Sequence, residues 1–254
     1  ELSILKNEIY KTTVMLKEVA ENSVQDKVNL KNSLSDISHQ LKTPLTSMSV
    51  MIDNILDNPQ MDEDIKSEFI KDIRRGIINI NFLVNTLLKL SKLDANSVHF
   101  INKNVYVNDI INESIKNVSV LCDLKNINIV VNGGKEIRLC CDIKWQVEAV
   151  TNILKNCIEH SPNGKIEIFY GIEKNLNKII IRDNGQGFMF GRENKIFERY
   201  FLGDRTKEGS SGLGLSIAQQ VIKQHFGTIT ASNRECGGAE FLILFPQMDA
   251  TTIY

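Results

Sequence analysis

His39 sits in the run Ser38-His39-Gln40-Leu41-Lys42-Thr43-Pro44. It stands two positions from both Ile37 and Leu41. On a helix that places it roughly 200° from each, so it points away from any core they form. A solvated imidazole is substantially neutral near pH 7 and can act as a nucleophile. Most exposed helical histidines are only surface, so His39 gains meaning from its company. Pro44 has no amide proton, so the Gln40 carbonyl loses its helical partner one turn beyond the histidine.

Asn152 and Asn156 are four apart in a helical stretch, and His160 continues their face. Neutral amide oxygens suit Mg²⁺ without adding charge beside a triphosphate. Asp183-Asn184-Gly185-Gln186-Gly187 follows the strand-like Ile179-Ile180-Ile181. It sets a carboxylate at a sheet edge and then lets the backbone turn tightly against a ligand. Such a carboxylate can accept a hydrogen bond from an exocyclic amine like that of adenine. Gly209-Ser210-Ser211-Gly212-Leu213-Gly214-Leu215 opens another helix, with its free amides available to phosphates. Each of these signals is weak alone.

The elements that must position them fall into two halves. Residues 1–96 contain no glycine but Gly76, and read as helix; residues 97–254 mix strands and helices. One apolar stripe runs Leu30, Leu34, Ile37, Leu41, Leu45, Met48, Ile52, Ile55, and a second runs Ile70, Ile73, Ile77, Ile80, Val84, Leu87. The turn between them ends at Asp62, a candidate N-cap. Upstream, Leu2, Leu5, Ile9, Leu16 and Val19 fit a heptad in part. A helix over 62–94 spans roughly 50 Å, too long for a lone pair of helices to cover its stripe. A second copy of the hairpin would, giving a dimeric four-helix bundle. In the second half, helices are expected over 108–121, 143–160 and 215–226, and strands over 127–131, 137–140, 165–172, 178–182, 228–233 and 240–245. Asn132-Gly133-Gly134 reads as a hairpin turn joining the first two of those longer strands. Strands and helices alternate too irregularly for a doubly wound sheet, so an α/β sandwich of the α+β kind is expected.

Composition sets the outer bounds. Hydrophobic residues make up 42% and charged residues 24%, within the globular range. A net charge of −1 argues against a protein that wraps duplex nucleic acid. The longest charge-free stretches, 76–88 and 209–222, fall short of the roughly 20 residues a membrane span needs. The five cysteines include no CxxC pair, so neither a disulfide framework nor a zinc site is expected, and a reducing compartment is the default.

Taken in order, the motifs resemble the cytoplasmic catalytic part of a two-component sensor histidine kinase, from about residue 30 to 246. The His39 run resembles the phosphoacceptor box of the common dimerisation domain. Asn152-Ile153-Leu154-Lys155-Asn156 resembles the N box; Asp183, Gly185 and Gly187 the G1 box; Ile196-Phe197-Glu198-Arg199-Tyr200-Phe201 the F box; and Gly212-Leu213-Gly214-Leu215 the G2 box. The resemblance implies ATP and Mg²⁺ as cofactors, with Asn156 as the metal ligand and Asn152 and His160 beside it. It further implies Asp183 on adenine, Arg199 near the γ-phosphate, and a lid over about 188–211. It implies a homodimer that phosphorylates His39 and passes the phosphoryl group to an aspartate of a response regulator. Thr43 would orient a water for dephosphorylating that regulator. Residues 1–29 would be a juxtamembrane signalling helix, 30–96 the dimerisation and phosphotransfer domain, and 97–254 the ATP-binding domain. Membrane attachment would come only through an upstream segment absent from this chain, leaving a cytoplasmic fragment of a bacterial membrane protein.

Three positions depart from the pattern. Gln40 stands where Glu or Asp is usual, Glu159 where a phosphate-contacting Lys or Arg is common, and Ser210 where G2 often begins with glycine. These departures leave two rivals: a catalytically degenerate dimeric scaffold that binds nucleotide and sequesters a regulator, and another ATPase on the same nucleotide fold, whose hydrolysis would not need His39.

Overall fold

A computed structural model describes residues 2–95, 97–134, 136–161, 163–201 and 212–247. Of the lid expected over about 188–211, residues 202–211, which include Gly209, Ser210 and Ser211, lie outside the described residues. So do the side chains of Leu30, Leu34 and the upstream heptad positions Leu2, Leu5, Ile9, Leu16 and Val19. The chain forms two compact units, Glu1–Phe82 and Leu83–Tyr254.

The first unit is the helical hairpin. Helix α1 (Leu2–Asp57) runs unbroken through Pro44. Helix α2 (Glu63–Asp94) starts where expected: the Asp62 carboxylate accepts the Asp64 amide at 2.9 Å, satisfying one free donor of the first turn. Gly76 lies against Met48, the buried anchor between the helices; a Cβ at Gly76 would meet the Met48 sulfur at 2.7 Å. Leu45, Ile52, Ile70 and Ile77, all members of the two stripes, remain about half exposed within one chain. The lower half of α2 differs from the expected stripe. There the buried positions are Leu83, Thr86, Leu90 and Leu93, while Val84 is exposed. The steps of three and four persist, but the buried face has rotated by one residue, because α2 from Leu83 onward belongs to the second unit and buries its side chains there.

The second unit is a two-layer α/β sandwich. Its order is β1 (Lys103–Tyr106), α3 (Val107–Lys125), β2 (Asn128–Gly133), β3 (Arg138–Cys141), α4 (Ile143–His160), β4 (Lys165–Glu173), β5 (Leu176–Asp183), a single 3-10 turn at Lys195–Phe197, α5 (Gly214–Gln224), β6 (Thr228–Asn233) and β7 (Ala239–Pro246). The main sheet runs β2-β4-β5-β7-β6. Lys174 and Asn175 both adopt positive φ, the backbone of a two-residue hairpin turn between β4 and β5. Helix α4 matches its expected limits. Asp142 caps it by accepting the Lys144 amide at 3.0 Å, and the helix ends before Ser161-Pro162.

The expected hairpin at Asn132-Gly133-Gly134 is not formed. β2 pairs in parallel with β4, whereas β3 pairs with β1 in a separate two-stranded sheet. Gly133 instead makes room for the Tyr170 ring, which would lie 2.4 Å from a Cβ there. All five cysteines are free thiols. No described helix is long and apolar enough to cross a membrane, and no described cluster of His, Cys, Asp and Glu could hold a metal ion.

Candidate functional site

Strand β5 alternates strictly, so Ile179, Ile181 and Asp183 share its buried face. Asp183 therefore ends the strand beneath the helical layer and is almost fully buried. One of its carboxylate oxygens accepts the amide of Gly185 at 2.8 Å and that of Ala239 at 3.1 Å. A carboxylate has about four acceptor sites, so capacity remains for a ligand. Burial and the Asp183 carboxylate push the neighbouring Cys157 thiol well above the usual range, so it stays protonated.

The glycines after Asp183 are needed for close approach. A Cβ on Gly185 would lie 2.4 Å from the Ser161 hydroxyl and 2.5 Å from the His160 carbonyl, so the turn lies directly on the end of α4. Gly187 has positive φ and no room for a side chain beside Asn233. Gly238, with φ of +90, would set a Cβ 2.1 Å from the Asp183 carbonyl. That explains Gly238, which passes over the base of the turn, whereas Gly237 has open space and only a positive φ.

Asn152 and Asn156 lie half-buried along α4. The Asn152 side chain faces the start of α5: a Cβ on Gly214 would stand 3.5 Å from its amide carbon. The Asn152 side-chain nitrogen is buried without a hydrogen-bond partner, a cost that a ligand at this seam would relieve. Leu213 is fully buried and Gly214 opens α5, whose first amides have no partners within the helix. Gly212 and Tyr200 both have positive φ, and the Tyr200 amide donates to the Gly212 carbonyl at 3.0 Å. That bond joins the two chain ends flanking 202–211. The F-box turn is anchored by Phe197, whose ring meets Phe241 of β7 edge-on at 6.4 Å.

The structure thus sets Gly185 on the His160–Ser161 end of α4, and Gly214, with Gly212, Leu213 and Leu215 around it, against Asn152; Asn156 lies one turn along α4 from Asn152, Asp183 ends β5, and Gly187 lies beside Asn233 and Gly238. Arg199 makes a different contact, an ion pair in which its Nη2 donates to both carboxylate oxygens of Asp94, at 2.5 and 2.6 Å. His39, Gln40 and Thr43 belong to the hairpin unit. His39 is exposed and Gln40 half-buried; the Thr43 hydroxyl donates to the His39 carbonyl at 3.1 Å. Two contributors escaped the sequence reading. Asn233 clamps the G1 turn by accepting the Phe188 amide at 2.6 Å and donating to its carbonyl at 2.8 Å. Asp94 is the other.

The fold and its site define a class: a phospho-acceptor hairpin joined to a nucleotide-binding sandwich. Residues 29–96 match the family described as His Kinase A (phospho-acceptor) domain. Residues 141–249 match the family described as Histidine kinase-, DNA gyrase B-, and HSP90-like ATPase. The chain belongs to the sensor histidine kinases. It is similar to Sensor protein kinase WalK of Staphylococcus aureus, with 30% identity over 226 residues and 84% of this chain covered. The chain spans about half the length of that relative, 52%. In fold it is similar to the Acinetobacter baumannii histidine kinase AdeS, at 20% identity and a TM-score of 0.67, covering 83% of this chain and 98% of that one. It is also similar in fold to the histidine kinase ThkA solved in complex with the response regulator protein TrrA. That likeness has 21% identity and a TM-score of 0.63, covering 85% of this chain and 61% of that one.

Proposed function

We propose that this chain is an ATP-dependent protein-histidine kinase that phosphorylates its own His39 and hands the phosphoryl group to an aspartate of a response regulator. The observation that carries the reading is the pairing, in one chain, of an exposed helical His39 with the Asn152, Asp183 and Gly214 seam. The adenine amine would donate to Asp183, and the triphosphate would lie along Asn152, Asn156 and the first amides of α5. The neutral side-chain oxygens of both asparagines fit a hydrated Mg²⁺, held chiefly by Asn156, and the unpartnered Asn152 side-chain N–H would donate to a phosphate oxygen. Bound there, the ion would neutralise charge on the triphosphate.

A lone pair on a His39 ring nitrogen attacks the γ-phosphorus. The P–N bond forms as the bond from phosphorus to the βγ-bridging oxygen breaks, and ADP leaves. Gln40 can orient the ring through its amide oxygen, without supplying charge. In the second transfer a regulator carboxylate attacks the phosphorus and the P–N bond breaks. The ThkA–TrrA complex supports a regulator as partner, and Thr43 is suited to orient water for its dephosphorylation. The half-exposed Leu45, Ile52, Ile70 and Ile77 support a homodimer built by packing two hairpins together. The proposal includes a cytoplasmic location, with residues 1–29 leading from a membrane anchor.

The test is incubation with γ-labelled ATP and Mg²⁺, with His39→Ala as control. Acid-labile label on wild type and none on His39→Ala is expected. Nucleotide binding without label would establish the scaffold instead, and steady ATP hydrolysis retained in His39→Ala would establish the general ATPase.

A further inference from the structure

Asp94 is the last residue of α2. A carboxylate there faces the negative end of the helix dipole, so the helix itself disfavours it. The structure shows what holds it: the Arg199 guanidinium meets both of its oxygens, at 2.5 and 2.6 Å. The Gln220 amide of α5 stands at 3.5 Å, at the outer limit of a hydrogen bond. One turn earlier Lys89 pairs with Glu148 of α4 at 2.9 Å, and Leu90 and Leu93 are buried. The last turns of α2 are therefore packed on the sandwich whether or not Asp94 is charged. The carboxylate is not needed to dock them, yet both of its oxygens are held by the Arg199 Nη2.

A guanidinium donates charge-assisted hydrogen bonds to carboxylate and phosphate oxygens alike. Arg199 belongs to the turn that leads into 202–211 and is joined back to Gly212 through Tyr200. It sits two residues from Phe197, which is fixed on β7. Its base is thus held, while its guanidinium reaches across to Asp94 through Nη2.

We infer that Asp94 is a positioning residue that holds Arg199 in reserve, and that the terminal phosphate of bound ATP competes with the Asp94 carboxylate for the guanidinium. This inference rests on the kinase reading, because it needs a triphosphate at the Asn152–Gly214 seam. It goes beyond that reading by tying the end of α2 to the third phosphate specifically. ADP lacks that phosphate and leaves the Asp94–Arg199 pair in place. ATP draws the arginine away, so the charge state of the nucleotide is reported to the last residue of the phospho-acceptor hairpin.

The test uses the whole chain carrying His39→Ala, so that binding is read without turnover, with a non-hydrolysable ATP analogue and ADP as probes in calorimetry. Asp94→Asn removes the competing charge and keeps the shape. It is expected to tighten the triphosphate about five-fold, the size of an exposed ion pair, and to leave ADP unchanged. Asp94→Glu keeps a carboxylate and should restore the parental ratio. In an Arg199→Ala background the Asp94→Asn change should have no effect on either nucleotide. An equal shift for ATP analogue and ADP, or an effect that survives Arg199→Ala, would overturn the inference and leave the kinase reading intact. A parent protein that binds neither nucleotide would overturn both.

Discussion

The Asp183 carboxylate accepts the Ala239 amide at 3.1 Å, so a side chain ties the end of β5 to the beginning of β7. The same oxygen holds the Gly185 amide, which shapes the G1 turn. Asparagine keeps that oxygen and loses the charge. Asp183→Asn is therefore expected to fold with a melting temperature close to wild type and to bind ATP about ten- to a hundred-fold more weakly, the size of a lost charged hydrogen bond. Calorimetric titration alongside a thermal melt checks both halves. Wild-type affinity in the variant would remove Asp183 from the adenine site.

Two adjacent glycines give a control for strain. Gly237 and Gly238 both have φ near +90, but a Cβ at Gly237 meets nothing within 4 Å, while one at Gly238 meets the Asp183 carbonyl at 2.1 Å. Gly237→Ala should cost about 1 kcal/mol of backbone strain and leave nucleotide binding intact. Gly238→Ala adds a clash with main chain that cannot rotate away. Its stability loss should be about 3 kcal/mol or more, with nucleotide binding impaired. Equal losses for the two variants would mean that the turn gives way more easily than its packing indicates.

The hairpin helices separate two kinds of apolar position. Ile77 is about half exposed in the single chain, whereas Ile73 is more covered. Ile77→Asp should leave the hairpin folded and convert dimer to monomer, since an unpaired charge in the joint costs about 3 kcal/mol or more. Ile73→Asp should lower the melting temperature as well. Sedimentation with circular dichroism distinguishes these outcomes. A dimeric Ile77→Asp protein would place the interface elsewhere.

Position 40 carries an amide where a charge would stabilise the imidazolium that develops during transfer. A hydrogen bond to a charged partner exceeds a neutral one by about 1 kcal/mol, or roughly five-fold in rate. Gln40→Glu is expected to raise the initial rate of His39 labelling a few-fold under saturating ATP and Mg²⁺. A rate at or below wild type would show a site built around the neutral amide.

His225 gives an acid-side dependence of stability. Its ring nitrogens contact the Asp142 amide at 3.1 Å and the Val221 carbonyl at 2.8 Å, so the ring must be neutral to accept the first. Burial lowers its pKa below the ordinary value. The unfolded chain then binds the proton more readily, so this contribution is complete above about pH 6.5 and is lost as pH falls toward the folded pKa. His225→Gln should flatten the slope of melting temperature against pH between 7 and 5 relative to wild type. An unchanged slope would assign the acid sensitivity to other groups.

What the sequence settled was local. Helix α4 kept its expected limits at Ile143 and His160 because periodicity, an Asp142 cap and a Ser-Pro stop all act within a few residues. Strands β4 to β7 announced themselves by alternation, and the order of His39, Asn152, Asp183, Arg199 and Gly212 was enough to find the family. Pairing between distant segments was not legible. Asn132-Gly133-Gly134 carries the chemistry of a hairpin turn, but the partner of β2 is β4, chosen by which apolar faces the folded chain must cover. The Asn233 clamp on Phe188 spans 45 positions and the Asp94–Arg199 pair spans 105. Side chains that far apart leave no periodic trace in the sequence. Their contact exists only because the sheet and helices, once packed, bring the two ends within hydrogen-bond reach.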